Sequence, residues 1–119
     1  MGFLSNIFGS NNKTAKDYAE EFKSLWENGK ISDAGKCIKK WTKQYPNDQN
    51  CKFAIVMLNV RLGSVPYHEA YNLFNKLAKE PSDSNYDSWF YDHASRELEM
   101  EASARFRSSN LGVKNVFRV

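Results

Sequence analysis

Apolar residues recur every three or four positions along most of the chain, a spacing that places side chains on one face of a helix. The pattern divides the sequence into five predicted helices and therefore indicates an all-α protein. The predicted stripes are Ala15, Tyr18, Ala19, Phe22, Leu25 and Trp26; then Ala34, Cys37, Ile38 and Trp41; then Phe53 to Leu58; then Tyr67, Ala70, Tyr71, Phe74, Leu77 and Ala78; then Tyr86, Trp89, Phe90, Ala94 and Leu98.

The third predicted helix is apolar on almost every side. Its run from Phe53 to Leu58 contains no polar residue, and a helix without a polar face is typical of a buried position. A buried strand is the alternative reading of such a run. The Gly and Pro residues on either side favour a helix of about 12 residues, which we expect at the centre of the domain.

Local signals mark where the predicted helices begin and end. Thr14 with Asp17, and Ser84 with Asp87, are variants of the capping box and predict helix starts. Gly29 predicts a left-handed helix end, and Pro66 suits a first helical turn, where its missing N–H has no intrahelical partner. The fifth helix is predicted to run to about Arg105.

The chain is predicted to form one domain, residues 1–119, because its length suffices for a single core. We assign a short apolar N-terminal segment to 1–12, a first hairpin to 13–48, a second hairpin to 49–81, the fifth helix to 82–106 and a tail to 107–119. Phe3, Leu4, Ile7 and Phe8 of the N-terminal segment share one helical face, and we expect them to pack onto the body. The tail alternates loosely and is predicted to be partly extended and partly docked.

Two parts of the sequence repeat one another with a period near 35 residues. Gly29 and Gly63 are 34 residues apart, and Pro46 and Pro81 are 35 apart. The repeated order of large residue, Gly, Ala, bulky residue and Pro resembles the tetratricopeptide repeat. This resemblance covers residues 14 to 83 and implies antiparallel helical hairpins that bind other macromolecules. Ser32 and Pro66 stand where the family usually has Tyr, and the second turn is two residues longer, so its peptide-binding groove is not assumed.

Composition narrows the functional classes only modestly. The net charge of +3 is mild, and a dedicated nucleic-acid-binding protein is usually more basic. No apolar run approaches the roughly 18 residues of a membrane span, and the N-terminus lacks the basic region of a signal peptide. We expect Cys37 and Cys51 to be reduced thiols, which is typical of a cytoplasmic protein.

The sequence predicts neither catalysis nor a cofactor nor a metal site. His68 and His93 each lack a second ligand at metal-binding spacing. Cys37 could be drawn as a nucleophile with a distant histidine, but its place in the repeat favours the core. No phosphate-binding loop or nucleophile elbow is present in the sequence.

Two charged surfaces are the predicted protein-binding sites. Along the second helix the lysines recur at i, i+3, i+4 and i+7, so they form one basic ridge. The fifth helix carries aromatic residues beside acids, and exposed Trp and Tyr are frequent in binding hot spots. The two sets are Lys36, Lys39, Lys40 and Lys43, and Asp87, Trp89, Tyr91 and Asp92.

Three functions agree with these sequence features. The first, which we favour, is a non-enzymatic interaction protein: a stoichiometric binder of the immunity or antitoxin type whose partner is a toxin domain. The second is a nucleic-acid-binding protein that uses the basic ridge, which the mild charge makes the less favoured. The third is a peripheral membrane or adaptor protein that touches a membrane through residues 1–8.

Overall fold

A computed structural model describes the backbone of residues 13–118 and the side chains of residues 13–106. Within that range the chain forms five helices and no strand: α1 (Ala15–Glu27), α2 (Ile31–Gln44), α3 (Gln49–Leu62), α4 (Tyr67–Lys79) and α5 (Ser88–Arg118). Helices adjacent in sequence are also adjacent in space, as short connections require. The predicted all-α fold built from antiparallel hairpins is confirmed.

Helix α3 lies at the centre, in contact with all four other helices. Phe53, Ala54, Val56 and Met57 are almost completely buried. The prediction of a central helix is therefore confirmed, and the alternative of a buried strand is wrong. One side of α3 departs from the prediction of complete burial, because Leu62 at its end is 60% exposed.

Aromatic rings join the first hairpin to α5. The ring centroid of Phe90 lies 5.9 Å from that of Phe22 on α1 and 5.6 Å from that of Trp41 on α2. Phe22 and Trp41 are themselves 6.3 Å apart. These distances lie within the range of favourable aromatic pairs, so α1 reaches α5 through long side chains and the five helices close around one core.

Most of the predicted helix ends are confirmed. Thr14 and Asp17 form the reciprocal capping box: the Asp17 N–H donates to Thr14 Oγ1, and the Thr14 N–H donates to Asp17 Oδ2. After α1 and α3 the chain turns at Gly29 and Gly63, whose φ angles are +73° and +64°. These left-handed conformations suit glycine because it has no Cβ to clash.

Both predicted ends of the fifth helix were wrong. It begins at Ser88 rather than near Ser84, because Asp87 supplies the cap: its Oδ1 accepts the N–H of Trp89 at 3.0 Å. The helix continues to Arg118 instead of ending near Arg105. An ion pair between Glu101 and Arg105, one turn apart, supports the helix up to the expected end.

Two buried amides at the start of α3 hold the connection between α4 and α5, and we call Gln49 and Asn50 the amide clasp. Gln49 Oε1 accepts the N–H of Asp83, and Gln49 Nε2 donates to the Leu77 carbonyl. Asn50 Nδ2 donates to the Asn85 carbonyl at 2.7 Å, and its Oδ1 accepts the N–H of Asp87 at 3.0 Å. The clasp satisfies backbone groups that would otherwise be costly to bury.

Two predictions concern parts of the chain outside the described residues. The apolar N-terminal segment 1–12, with its expected packing onto the body or contact with a membrane, is one of them. The expected docking of the tail is the other, because side chains are described only as far as residue 106. The expectation that the tail is partly extended is wrong, because its backbone is helical as far as Arg118.

Candidate protein-binding surface

The basic ridge occupies the outward face of α2. The buried side of this helix consists of Ala34, Cys37, Ile38 and Trp41, and the lysines take the positions between these. All four ridge residues, Lys36, Lys39, Lys40 and Lys43, are exposed. Their predicted placement on one surface is therefore observed, whereas their role in binding remains a prediction.

The ridge is almost uncompensated. Lys36 Nζ lies 4.0 Å from Asp33 Oδ1, at the limit of an ion pair. Among residues 13–106, Lys39, Lys40 and Lys43 have no carboxylate within ion-pair distance. Exposed like charges raise the local potential and attract a partner of opposite sign.

The second predicted surface, on α5, is divided by the structure. The Trp89 ring faces α1, with its centroid 6.3 Å from that of Phe22. Tyr91 faces the second hairpin, 5.1 Å from Phe74 and 5.9 Å from Phe53. The two aromatic residues thus lie on different sides of the helix and do not form one face.

Each member of that α5 set has its own environment. Trp89 is half-buried and stacks on His93 at a centroid distance of 3.8 Å, whereas Tyr91 is 36% exposed. Asp92 is exposed. Asp87 is half-buried, pairs with Lys23 and caps α5. Of the four residues, Asp87 therefore has a structural role, and this role explains its presence without a function in binding.

The charge state of Asp87 follows from these contacts. Partial burial opposes its ionisation, but the Lys23 ammonium and the Trp89 N–H outweigh that effect and lower the pKa of the Asp87 carboxyl. The same ion pair, together with Glu20, raises the pKa of Lys23 despite its own partial burial. The pair is therefore ionised at neutral pH and ties α1 to the start of α5.

Other acids of α5 are also paired internally. Glu97 is buried and accepts two hydrogen bonds from the Arg61 guanidinium, at 2.9 and 2.8 Å. Glu101 pairs with Arg105 at 3.1 Å. The two parallel hydrogen bonds between Arg61 and Glu97 fix the relative orientation of the two side chains as well as pairing their charges. Two of the four acids of α5 are thus used within the fold, whereas Asp92 and Glu99 are exposed and have no ion pair among the described residues.

An apolar groove, which the sequence did not predict, lies beside the ridge, between α2 and α3. It has a volume of about 660 Å³, and its walls are largely apolar side chains bordered by Lys36 and Lys39. The apolar walls are Ile31, Ile38, Ile55, Leu58 and Leu62, and Gly35 forms part of the floor. We call this feature the α2/α3 groove.

A sequence signal for the groove existed. Ile55, Leu58 and Leu62 follow the spacing i, i+3 and i+7, which is one helical stripe. A second stripe on α3, consisting of residues such as Phe53 and Met57, already faces the core. Packing against one core requires only one apolar stripe. The second stripe of α3 is the one that lines the groove.

The two histidines lie on different helices, and neither lines the groove. His68 is exposed on the first turn of α4. His93 Nδ1 lies 2.9 Å from the Trp89 carbonyl oxygen, and its ring stacks on that indole. Within the described part of the chain, no three His, Cys, Asp or Glu side chains cluster as a metal site would require.

Both cysteines are free and buried. Burial raises the pKa of the Cys37 thiol to about 12 and that of the Cys51 thiol to about 11. The Cys37 thiol donates to the Tyr18 carbonyl over 3.6 Å, and Cys51 contacts Thr42. Thiols that stay protonated at neutral pH are poor nucleophiles, so these side chains serve as packing residues.

Comparisons with known proteins do not assign the chain to a family. No protein-family model, no curated protein and no solved structure gives a significant match. The resemblance to the tetratricopeptide repeat therefore stays a prediction. Within the range that the structure describes, none of the helices has both the length and the apolar character needed to cross a membrane.

Proposed function

We propose that this protein acts by binding a protein partner through the basic ridge on α2, and that it is a stoichiometric inhibitor of the immunity or antitoxin type. The observation that carries the proposal is the ridge itself: four exposed lysines on one rigid helix, with a single ion pair at 4.0 Å. The partner surface is correspondingly acidic.

Charge of one sign on a fixed scaffold suits this role. A surface of this kind increases the association rate with an oppositely charged partner and disfavours other partners. A protein that neutralises a toxin has to reach it quickly, so a high association rate is advantageous. Asp87, Glu97 and Glu101 pair with other residues and do not neutralise the ridge, which is one exposed cluster of like charge.

The reduced state that we infer for the two buried thiols fits the cytoplasm, where disulfides are rare. We accordingly propose that the protein meets its partner there. The partner would be a toxin or effector made by the same cell, and the genes beside the one encoding this chain are the first candidates.

The test is co-expression with each neighbouring gene product. We expect one product to arrest growth alone, to be neutralised by this chain and to form a one-to-one complex with it. Reversing Lys40 and Lys43 to Glu should slow association at least about tenfold at low salt and much less at high salt. Binding kinetics at two salt concentrations measure both effects.

A matched control comes from α4. Lys76→Glu with Lys79→Glu makes the same change in net charge, and these exposed lysines, like Lys43, lie in the last turn of a helix. This variant should associate at nearly the wild-type rate. Equal slowing by both double variants would reject the ridge as the binding surface. Strongly salt-dependent binding to a short DNA duplex, without any protein partner, would favour the nucleic-acid alternative.

A further inference from the structure

The α2/α3 groove has an unusual combination of features for the surface of a small protein. Leu62 is 60% exposed, and Ile31, Ile55 and Leu58 are only partly covered. Exposed apolar side chains that adjoin one another, rimmed by polar groups, mark interaction sites more often than isolated ones do. Lys36 and Lys39 supply that rim on one side.

The dimensions of the groove suit a short segment. Its lining extends from Ile31 to Lys39 on α2 and from Ile55 to Leu62 on α3, which is about 10–12 Å along each helix at 1.5 Å per residue. That length corresponds to roughly two helical turns. A guest helix would therefore present two or three apolar residues at i, i+3 or i+4, and i+7 spacing.

Gly35 makes room for the guest. A Cβ added at this position would meet only the Leu58 side chain, at 3.5 Å, an ordinary contact distance. The glycine does not need its special backbone freedom here, since it lies within regular helix. Gly within a helix costs roughly 0.5–1 kcal/mol of stability relative to Ala. At position 35 the absence of a side chain leaves the groove open.

The charge at the rim selects the occupant. Among the residues that line the groove there are two lysines and no carboxylate, and Lys40 and Lys43 extend the positive surface along the same helix. We propose, building on the proposed function, that the α2/α3 groove binds an acidic amphipathic segment of the partner. Its apolar residues enter the groove, and its carboxylates face Lys36 and Lys39.

The probe for this inference is a synthetic peptide of about three helical turns, with Leu at helical spacing and Glu at the flanking positions, carrying a fluorophore. We expect saturable binding to the full-length protein, measured by fluorescence anisotropy. Two control peptides should bind at least about tenfold more weakly: one with the same composition but with Leu dispersed around the helix, and one with Lys in place of Glu.

Protein variants then test the geometry. Gly35→Leu fills the groove and should weaken peptide binding at least about tenfold, which corresponds to ~1.4 kcal/mol. Gly35→Ala should have a smaller effect, and Leu62→Ser, at an exposed position, should weaken binding by removing an apolar contact. Helix content and thermal unfolding show whether each variant is folded. We expect the Gly35→Leu protein to fold, because Leu favours a helix more than Gly does and a Cβ at position 35 meets only the Leu58 side chain, at 3.5 Å.

The charge variants separate the groove from the rest of the ridge. Lys36→Glu with Lys39→Glu should weaken peptide binding more than Lys40→Glu with Lys43→Glu, because only the first pair lines the groove. Equal binding by wild type and Gly35→Leu would overturn the groove proposal. Tighter peptide binding by the Phe3→Ser, Phe8→Ser variant would also overturn it, since the N-terminal segment would then be the native occupant.

The same variants distinguish this inference from the proposed function. With the native partner, slower association of the Lys40→Glu, Lys43→Glu variant supports the ridge whatever the groove does. Unchanged affinity of Gly35→Leu in that experiment would reject the groove and retain the ridge. Loss of affinity in both variants supports the two proposals together.

Discussion

The α1–α2 hairpin and the α3–α4 hairpin treat their inward positions alike. Ala34 and Ala70 occupy equivalent places in the repeated pattern, and both are buried. Trp41 and Leu77, seven residues further along each second helix, are also buried. The repeated sequence therefore constrains which residues face the core.

The ends of the first helices and the outward faces of the second helices differ between the hairpins. Trp26, near the end of α1, is 8% exposed, because it stacks on Phe22 and the Arg61 guanidinium lies 4.6 Å above its ring. Leu62, near the end of α3, is 60% exposed. On α2 the outward face is a row of lysines, whereas α4 exposes Tyr71 and Leu73. The two hairpins share their inward packing and differ in their outward surfaces, and we propose that the outward surfaces bind the partner.

The largest effect is expected from the inward positions, at Trp41. Trp41→Ala should lower the free energy of unfolding by about 3–5 kcal/mol. This indole contacts rings on two other helices, Phe22 and Phe90, and its loss would leave a cavity between the first hairpin and α5. Denaturant unfolding followed by circular dichroism measures the change.

Leu77→Ala provides the comparison in the second hairpin. It should cost about 2–5 kcal/mol, and less than Trp41→Ala, since the removed side chain is smaller at equal burial. Trp41→Phe keeps most of the ring contacts and should cost much less than Trp41→Ala. A larger loss for Leu77→Ala than for Trp41→Ala would contradict the view that Trp41 joins the two parts of the core.

The inward pattern was predictable from the sequence because burial imposes a period. The stripe of α2, with Cys37 and Trp41, was identified by its spacing, and so was the central place of α3. The capping box at Thr14 was identified because its two reciprocal bonds need only residues three apart. Local signals and helical periods together were sufficient for most helix bounds and much of the core.

The parts that were missed depend on long-range contacts. The Ser84–Asp87 pattern resembled a helix start, but Asn50, more than 30 residues away, holds the Asp87 N–H and leaves Asp87 to cap α5. The α5 surface was treated as one face, yet its aromatic residues turn to different neighbours. The groove between α2 and α3 exists only when two helices are placed side by side.

The amide clasp gives the second prediction. Asn50→Ala should lower the free energy of unfolding by about 1–3 kcal/mol, because it removes the partners of the Asp87 N–H and the Asn85 carbonyl. Asn50 is only 2% exposed, so water does not readily replace them. Asn72→Ala, on the exposed face of α4, is the control and should stay within about 0.5 kcal/mol. Equal effects of the two substitutions would show that the clasp adds nothing to stability.

Asp48, just before α3, is the site of the third and smallest expected effect. It is 8% exposed, and its Oδ2 has no hydrogen-bond partner among the described residues. Burial raises the pKa of the Asp48 carboxyl, and the charge of Asp83 raises it further. The Trp41 indole N–H favours the charged form and so lowers the pKa of Asp48, but this N–H does not form a well-aligned hydrogen bond with the carboxylate.

The sign of the pH dependence follows from that raised pKa. Below about pH 4, the ordinary value for Asp, Asp48 is protonated in both folded and unfolded states and costs nothing. As the pH rises through the folded-state pKa, ionisation favours the unfolded state and stability falls.

Asp48→Asn keeps the shape without the charge, so it should stabilise the protein at pH 7 and have little effect in acid. Asp92→Asn, at an exposed position on α5 beyond its first turn, is the control and should change neither value appreciably. The denaturant midpoint of each protein, measured at pH 7 and below about pH 4, tests this prediction. If Asp48→Asn were less stable than wild type at pH 7, the Asp48 carboxylate would be stabilising, as the residue that precedes α3.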